Sequence, residues 1–199
     1  MSAVDAAIAA LRAGGLAVIP TDTVYGLAAD GRSEAAARAL YAAKGRDATQ
    51  PTALLFASVD VLEEHLPELP SRARAMARVL LPGPLTLVLP NPGRRFGWLN
   101  ERSPDAVGAR VPVIPGPGGD VLTALGVLVA TSANLPGQPD PRRVEDVPPA
   151  IRESVAAVVD GGELPGTPST VVDLTAGEPG VLREGAVPAR DVLARLTDF

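Results

Sequence analysis

Short apolar runs alternate with loops rich in glycine and proline along most of this chain. A run of about four to eight apolar residues is typical of a buried strand, whereas apolar residues three or four positions apart are typical of one helix face. The pattern therefore predicts a mixed α/β fold. The predicted strands comprise residues 16–19, 52–57, 85–89, 106–111, 127–130, 155–159, 170–174 and 181–183.

Several segments between these strands have the composition of helices. Ser2 and Asp5 are spaced as a capping box, and Gly14 with Gly15 supplies a stop signal for the first helix. The predicted helices comprise residues 4–13, 33–43, 59–66, 72–80, 121–125 and 189–196, and loops are predicted at residues 21–31, 90–104, 114–120 and 161–168.

The composition indicates one globular domain spanning residues 1–199. Hydrophobic residues make up 46% of the chain and charged residues 21%, which excludes a disordered protein. Aromatic residues make up only 3%. The core must therefore consist mainly of alanine, valine and leucine, and few side chains could stack on nucleic-acid bases.

Charge and cysteine content exclude several classes of function. A net charge of -5 argues against a surface that holds nucleic acid through many phosphates. The chain has no cysteine and one histidine, His65, in an acidic stretch, so thiolate nucleophiles and histidine clusters are not expected. No run reaches the roughly 20 apolar residues that span a bilayer. We expect a cytoplasmic protein without membrane contact.

The only lysine of the chain is a second compositional feature. The chain has 18 basic residues, all arginine except Lys44, and its alanine, glycine and proline content indicates a coding bias. Lys44 is therefore a candidate for chemistry that needs a compact ammonium. The alternative is a solvated cation that complements the end of a helix. Neither G-x-x-x-x-G-K-[ST] nor a helix-opening G-x-G-x-x-G occurs, so familiar nucleotide motifs are absent.

Hydroxyl, amide and guanidinium side chains recur where the predicted strands end, and ligands of α/β proteins gather at such positions. Lys44 and Arg46 could together hold a polyphosphate, or could be helix-end cations. Arg110 lies within an apolar strand, where a guanidinium needs an anionic partner, either a structural carboxylate or a ligand. The other clusters, each also consistent with an ordinary turn, are residues 20–27, 131–134, 169–173 and 183–185.

In this order the clusters resemble the YrdC-like family of threonylcarbamoyl-AMP synthases. The likeness covers nearly the whole chain. It implies the short, single-domain form of the family, with a twisted mixed β-sheet and flanking helices around a concave cationic cleft. The matching motifs are Pro-Thr-Asp-Thr-Val-Tyr-Gly-Leu at 20–27, Lys-Gly-Arg at 44–46, Pro-Gly-Pro-Leu-Thr at 82–86, Arg-Val-Pro at 110–112, Ser-Ala-Asn at 132–134, Ser-Thr-Val-Val-Asp at 169–173 and Arg-Glu-Gly at 183–185.

The resemblance also implies an activity, the condensation of L-threonine, bicarbonate and ATP into threonylcarbamoyl-adenylate and pyrophosphate, which a downstream threonylcarbamoyl-transferase uses to modify tRNA. Mg2+ is the implied cofactor, held largely by phosphate oxygens and water. Asp22 and Asp173 are either metal contacts or turn caps, so no metal ligand is assigned. By motif, Thr23, Arg110 and Ser169 would bind threonine; Lys44, Arg46, Gln50, Ser132, Asn134 and Arg183 would bind the nucleotide, and Lys44 and Arg46 would be catalytic.

Four positions depart from the family pattern: Asp47, Leu55, Ile114 and Asp140 stand where relatives usually carry Pro, His, His and Ser. These departures keep two alternatives open. One is a related carbamoyl-adenylate enzyme with a different acceptor. The other is an RNA-binding or ribosome-assembly module that uses the cleft for RNA phosphates, although the acidic balance of the chain argues against it.

Overall fold

A computed structural model describes residues 1–45, 50, 52–197 and 199. Strands and helices are interspersed along these residues, as the apolar pattern predicts. Short 3-10 turns lie at Gly97–Leu99 and Val144–Asp146. The strands are β1 (Ala17–Pro20), β2 (Tyr25–Asp30), β3 (Ala53–Phe56), β4 (Leu85–Pro90), β5 (Ala106–Arg110), β6 (Val127–Ser132), β7 (Ala157–Val158), β8 (Thr170–Asp173) and β9 (Gly180–Arg183); the helices are α1 (Ala3–Arg12), α2 (Glu34–Lys44), α3 (Val59–His65), α4 (Ser71–Leu80), α5 (Pro117–Leu125), α6 (Pro149–Ser154) and α7 (Ala189–Ala194).

The strands of the described chain form one sheet in the order β7-β1-β2-β6-β3-β5-β4-β8-β9. Five neighbouring pairs are antiparallel and three are parallel. Parallel neighbours need long crossover connections, which is why strands as distant in sequence as β4 and β8 lie side by side. The predicted mixed α/β fold is confirmed.

Helices α2, α3 and α4 pack against one face of this sheet. Side chains of β4 and β5 alternate between this buried face and a partly exposed face. Leu54, Leu87 and Ala109 lie on the buried face, where they share one apolar cluster with side chains of these helices. This cluster is the main core of the protein.

The opposite face of the sheet is only partly covered by helices. Helices α1 and α5 pack over β1 and bury Ile19 and Ala28 in a second apolar cluster. Strands β3, β5, β4 and β8 instead line a cleft on this face. Ala53, Gly108 and Val88 are register partners in one row across three of these strands. Small side chains therefore form much of the floor of the cleft.

The predicted loop at residues 21–31 is wrong over most of its length. Tyr25–Asp30 form β2, a buried strand that pairs with β1 on one side and β6 on the other. The sequence Gly-Leu-Ala-Ala within it has little intrinsic preference for a strand. Pairing with two neighbours decides its conformation, and only residues 21–24 remain as a turn between β1 and β2.

Three other elements show larger differences from the predictions. Helix α5 begins at Pro117 rather than at residue 121, because proline suits the first turn of a helix. Helix α6 at Pro149–Ser154 was not predicted, and it also begins with a proline. Strand β7 includes only Ala157–Val158 of the predicted residues 155–159. Proline inside a loop-like sequence thus concealed two helix starts.

The helices are short, and α1 begins with the predicted capping box. Ser2 Oγ accepts the Asp5 N–H at 3.1 Å, and the Asp5 carboxylate accepts the Ser2 N–H at 3.1 Å.

Within the described ranges, no helix combines the length and the apolar character needed to cross a membrane. The cytoplasmic location stays a prediction.

Pro20, the last residue of β1, is enclosed by two glycines. A Cβ atom added at Gly118 of α5 would overlap the carbonyl oxygen of Pro20, and one added at Gly161 would lie 2.7 Å from the proline ring. Glycine at both positions therefore allows α5 and the loop around Gly161 to close on the end of β1, where the turn at the cleft begins.

We expect Gly118→Ala to destabilise the fold by about 1–3 kcal/mol, because the added methyl group must displace backbone atoms. Gly177→Ala is the matched control, since no atom lies within 4 Å of a Cβ atom at that position. Thermal unfolding should show a Tm lower by roughly 2–10 °C for Gly118→Ala and little change for the control. An equal Tm for both variants would contradict this packing.

Candidate functional site

A cleft of about 650 Å³ lies on the partly covered face of the sheet. Side chains of β3, β4, β5, β6 and β8 contribute to its wall, together with the β1–β2 turn and the loop after β6. Of the nine residues predicted for the site, Arg46 lies outside the described residues and the other eight line this cleft. The eight are Thr23, Lys44, Gln50, Arg110, Ser132, Asn134, Ser169 and Arg183.

The hydroxyl of Thr21 fixes the turn between β1 and β2. Its Oγ1 accepts the backbone N–H groups of Thr23 and Val24, both at 3.2 Å, and donates to the Val24 carbonyl at 2.7 Å. Threonine commonly stabilises turns through such local bonds. The Thr23 carbonyl accepts the Gly166 N–H at 2.8 Å, which ties the turn to another loop. Thr23 is thereby held at the wall of the cleft.

Lys44, at the end of α2, is buried, with 6% of its surface exposed. Its ammonium donates to the Ser132 carbonyl at 2.6 Å and to Asn134 Oδ1 at 2.9 Å. It also donates to the hydroxyls of Thr131 at 3.1 Å and Ser132 at 3.2 Å. The alternative of a solvated helix-end cation is therefore wrong. Because an ammonium has three protons, at least four oxygen atoms compete for them.

Asn134 connects Lys44 to the loop that follows β6. Its Oδ1 accepts from the Ser132 hydroxyl at 2.6 Å as well as from Lys44, and its amide donates to the Gln138 carbonyl at 2.6 Å. These bonds close the loop of residues 134–138 at the cleft. Ser132 and Asn134 therefore hold the wall of the cleft in shape, in addition to any contact with a ligand.

Arg110 has a structural carboxylate as its partner. Its Nη2 donates to Asp22 Oδ1 at 2.6 Å, and the two side chains are 12% and 8% exposed. The pair joins β5 to the β1–β2 turn, across β3 and β6, which separate β5 from β2 in the sheet. Arg110 Nε and Asp22 Oδ2 are buried and have no hydrogen-bond partner among the described residues. Asp22 thus satisfies only part of the guanidinium.

Burial dominates the electrostatics of this ion pair. It raises the pKa of Asp22 above its usual value, although the positive charge of Arg110 lowers it. Burial likewise lowers the pKa of Arg110; the carboxylate of Asp22 opposes this change, and the positive charge of Arg183 adds to it. A buried pair with so large a desolvation cost contributes little to stability. The main effect of the ion pair is to hold the Arg110 side chain in one position.

Ser169, just before β8, lies beside Thr86 because β8 and β4 pair in parallel. Ser169 Oγ and Thr86 Oγ1 are 2.8 Å apart, and Arg183 donates to the Ser169 carbonyl at 2.8 Å. Thr86 was missed as a lining residue, although it is the one hydroxyl in the alternating strand Leu-Thr-Leu-Val-Leu. Asn100 also lines the cleft. No sequence signal pointed to it, because it lies in a loop.

The charged residues of the described cleft lining are three cations and one carboxylate. The cations are Lys44, Arg110 and Arg183, and the carboxylate is Asp140. Asp173 caps a turn instead, since its carboxylate accepts the N–H of Thr175 at 2.8 Å and its hydroxyl at 2.6 Å. The described residues contain no group of three or more His, Cys, Asp or Glu side chains arranged to hold a metal ion.

The other residues singled out by sequence lie elsewhere. His65 packs beside Phe56 and is not part of the described cleft lining. Ile114 packs on the second apolar cluster. Leu55 lines a smaller cavity beside the cleft. Asp47 lies outside the described residues.

The raised pKa of Asp22 predicts a pH-dependent stability. Below about pH 3.9 Asp22 is protonated in both the folded and the unfolded chain. As the pH rises from there through the raised pKa, the unfolded chain loses this proton first, so folding loses stability. The asparagine in Asp22→Asn does not titrate in this range. The free energy of unfolding of the wild type should therefore fall relative to that of the variant over this interval.

Urea unfolding of both proteins between about pH 3.5 and pH 7 measures this difference. Asp173→Asn serves as the control carboxylate, because it caps an exposed turn. If the wild type instead gains stability relative to Asp22→Asn as the pH rises, attraction to Arg110 outweighs burial in setting the pKa of Asp22.

Comparison with known proteins identifies relatives of the chain. Residues 9–185 match the family model Sua5_yciO_yrdC, described as "Telomere recombination". A threonylcarbamoyl-AMP synthase of Pyrococcus abyssi is 36% identical over 187 residues, which cover 92% of this chain and 54% of the relative. One from Homo sapiens is 36% identical over 192 residues, which cover 92% of this chain and 67% of the relative. The chain thus spans about half the length of the Pyrococcus protein.

A solved structure gives the same result in three dimensions. The crystal structure of P. abyssi Sua5 complexed with L-threonine matches with a TM-score of 0.85 at 33% sequence identity. The match covers 98% of this chain and 58% of the other chain. Because almost the whole chain is covered, the likeness includes the strands that form the cleft.

Proposed function

We propose that this chain, which belongs to the Sua5/YciO/YrdC family, is a threonylcarbamoyl-AMP synthase. It would condense L-threonine, bicarbonate and ATP and release pyrophosphate. The observation that carries the proposal is the convergence on one cleft of eight motif residues from distant parts of the sequence. Relatives with this name are similar to most of the chain. A downstream threonylcarbamoyl-transferase would then use the adenylate for tRNA modification in the cytoplasm.

Arg110, Thr23 and Ser169 would form the threonine end of the cleft. A guanidinium pairs well with a carboxylate, and Asp22 leaves Arg110 Nε without a partner among the described residues. The hydroxyls of Thr23 and Ser169 could bind the polar groups of the amino acid. The similar Sua5 structure contains L-threonine, which supports an amino-acid site in this fold.

Lys44 and Arg183 would form the phosphate end, with Arg46 as a third cation and Gln50, Ser132 and Asn134 as polar contacts. Lys44 already lies among four protein oxygens within 3.2 Å. A phosphate oxygen that approaches its ammonium would compete with these neutral acceptors and, being charged, would make the stronger bond. The predicted catalytic role of Lys44 and Arg46 would be to neutralise charge on the reacting phosphates.

The chemistry proposed for the cleft needs positioning more than a general base. Once the threonine amine has combined with the one-carbon unit, the carbamate is already an anionic nucleophile. Its oxygen would attack the α-phosphorus of ATP, and pyrophosphate would leave. Fixed cations and aligned reactants lower such a barrier without proton transfer, which is consistent with a described cleft lining that contains no histidine.

Mg2+ would enter this site together with ATP. Mg2+ keeps several water ligands and binds readily through substrate phosphates with few protein contacts. Asp140 is the carboxylate of the described cleft lining, whereas Asp22 and Asp173 are engaged by Arg110 and Thr175. These donors fit a metal held mainly by the nucleotide, which would supply further charge neutralisation at the phosphates.

The direct test is an assay of pyrophosphate release. Protein incubated with ATP, Mg2+, bicarbonate and L-threonine should release pyrophosphate only when all of these are present. Replacing threonine by serine or valine separates a threonine enzyme from one with another acceptor. Release of no pyrophosphate under any of these conditions would overturn the proposal.

Lys44→Arg should reduce pyrophosphate release by roughly tenfold or more. The planar guanidinium is larger than the ammonium and presents its donors in a fixed fork, so it should not keep the same contacts with both the loop and a phosphate. Arg190→Lys is the reciprocal control, because that side chain is 87% exposed. Initial rates of both variants give the comparison, with circular dichroism to check the fold. Near-normal turnover of folded Lys44→Arg would restrict Lys44 to a structural role.

A further inference from the structure

A second cavity, of about 580 Å³, lies apart from the cleft and shares no described wall residue with it. It adjoins the end of α3, the segment after β2 and the loop that contains the 3-10 turn at Gly97–Leu99. We call it the aromatic pocket, because two of the six Phe, Tyr and Trp residues of the chain line it. Its wall comprises Arg32, Glu64, His65, Arg95, Phe96 and Trp98.

The loop that carries Phe96 and Trp98 is fixed in an unusual conformation. Phe96 and Arg94 both have a left-handed backbone, with φ angles of 55° and 49°, which is unfavourable for residues other than glycine. Buried Asn91 supports this conformation, since its amide donates to the Arg95 carbonyl at 2.7 Å and its Oδ1 accepts the Arg95 N–H at 3.0 Å. Backbone strain that the surrounding structure maintains is common at binding sites.

The rings of Phe96 and Trp98 form a corner of the pocket. Their centroids are 6.2 Å apart and their planes meet at 74°, so the two rings do not stack face to face. Both side chains are partly exposed. The face of an aromatic ring attracts cations, and indole does so most strongly. Trp98 therefore gives the pocket a surface that favours a cation.

His65 adds a hydrogen-bond acceptor to the same wall. Its Nδ1 lies 2.8 Å from the Val61 carbonyl oxygen. Because a carbonyl oxygen can only accept, Nδ1 carries the proton of the neutral ring, and Nε2 is then an acceptor. No described residue donates to Nε2, so this atom remains for a ligand.

Glu64 is the one carboxylate of α3 that no arginine of the described chain binds. Asp60 and Glu63, on the same helix, accept from Arg78 Nη2 at 3.2 Å and 2.9 Å. Glu64 forms no ion pair or hydrogen bond with another described residue. Its negative charge therefore remains unbalanced at the pocket.

The two arginines of the wall are already paired with carboxylates. Arg32 Nε and Nη2 donate to Asp30 at 3.0 Å and 3.1 Å. Arg95 Nε and Nη2 both donate to Glu68 at 2.7 Å. Such two-point pairs balance the positive charges, and the charge that remains at the pocket is the negative charge of Glu64.

We propose that the aromatic pocket binds the guanidinium of an arginine side chain presented by a partner protein. The guanidinium would lie on the indole of Trp98 and donate to the Glu64 carboxylate and to His65 Nε2. It is planar, stacks on aromatic rings and has five N–H donors, whereas an ammonium is a compact point charge. The wall has no unpaired cation for the carboxylate of free arginine, which favours an arginine within a polypeptide. This inference goes beyond the proposed function and does not depend on it.

Trp98 is the only tryptophan of the chain, so its fluorescence reports directly on the pocket. N-acetyl-arginine amide, added to the whole protein at constant ionic strength, should change the emission saturably. We expect a Kd on the order of 10 mM or tighter for this single side chain. The same titration of N-acetyl-tryptophan amide gives the background from collisional quenching, and a protein response no larger than this background would overturn the proposal.

Glu64→Gln should weaken this binding roughly tenfold, because it removes the charge from the hydrogen-bonded pair. Glu153→Gln is the matched control, since it makes the same change at an exposed carboxylate of α6 and should leave the Kd within about twofold. Pyrophosphate release should be equal in both variants, because neither residue lines the described cleft. Failure of binding and failure of synthesis are therefore measured separately.

The indole N–H resonance of Trp98 in ¹⁵N-labelled protein gives a second readout, and the full spectrum shows whether Glu64→Gln is folded. N-acetyl-lysine amide and AMP should both shift this resonance less than N-acetyl-arginine amide does. Equal binding by folded Glu64→Gln and the wild type, or an equal response to the lysine compound, would overturn the guanidinium assignment. Tighter binding of AMP would make the pocket a nucleotide site, and tighter binding of free arginine would make it an amino-acid site.

Discussion

The unequal covering of the two faces of the sheet is the constraint on which the site depends. One face is buried by helices along β2, β3 and β4, and the other is packed by α1 and α5 over β7, β1, β2 and β6. Strand residues that would otherwise enter a core therefore face a cleft. Gly108 and Ala53 keep bulky side chains off the floor of the cleft. Their backbones lie so close together that a Cβ atom at Gly108 would be 3.2 Å from Ala53. The same alternation that builds the core thus brings Thr86 and Arg110 to the ligand side.

Two cations with little exposed surface, Lys44 and Arg110, shape this open half of the sheet, and protein oxygens hold both of them. Lys44 fixes the loop after β6 through Ser132 and Asn134, and Arg110 fixes the β1–β2 turn through Asp22. Taking such charges out of water costs several kcal/mol per ion before their contacts compensate. A fold that needed only stability would do as well with apolar side chains in these places. Cations that are positioned in advance are instead suited to binding anionic substrates.

The proposed reaction places both the amino acid and the nucleotide in one cleft. A cleft of about 650 Å³ has room for an amino acid and a nucleotide. Arg110 lies in the wall of this cleft, where its guanidinium would orient the carboxylate of threonine. Positioning by fixed cations would lower the barrier without proton transfer.

Apolar periodicity in the sequence determined the fold class and most helix and strand positions, because periodicity is a property of neighbouring residues. The eight cleft residues were indicated by the resemblance of the ordered motifs to a known family. The sequence could not reveal β2, whose Gly-Leu-Ala-Ala segment becomes a strand only through pairing with β1 and β6. Nor could it decide between a carboxylate and a ligand for Arg110, or between solvent and burial for Lys44. Asp22 is 88 positions from Arg110, and Ser132 is 88 from Lys44. Only the tertiary structure brings such distant groups within hydrogen-bonding distance, and that proximity decided their environments.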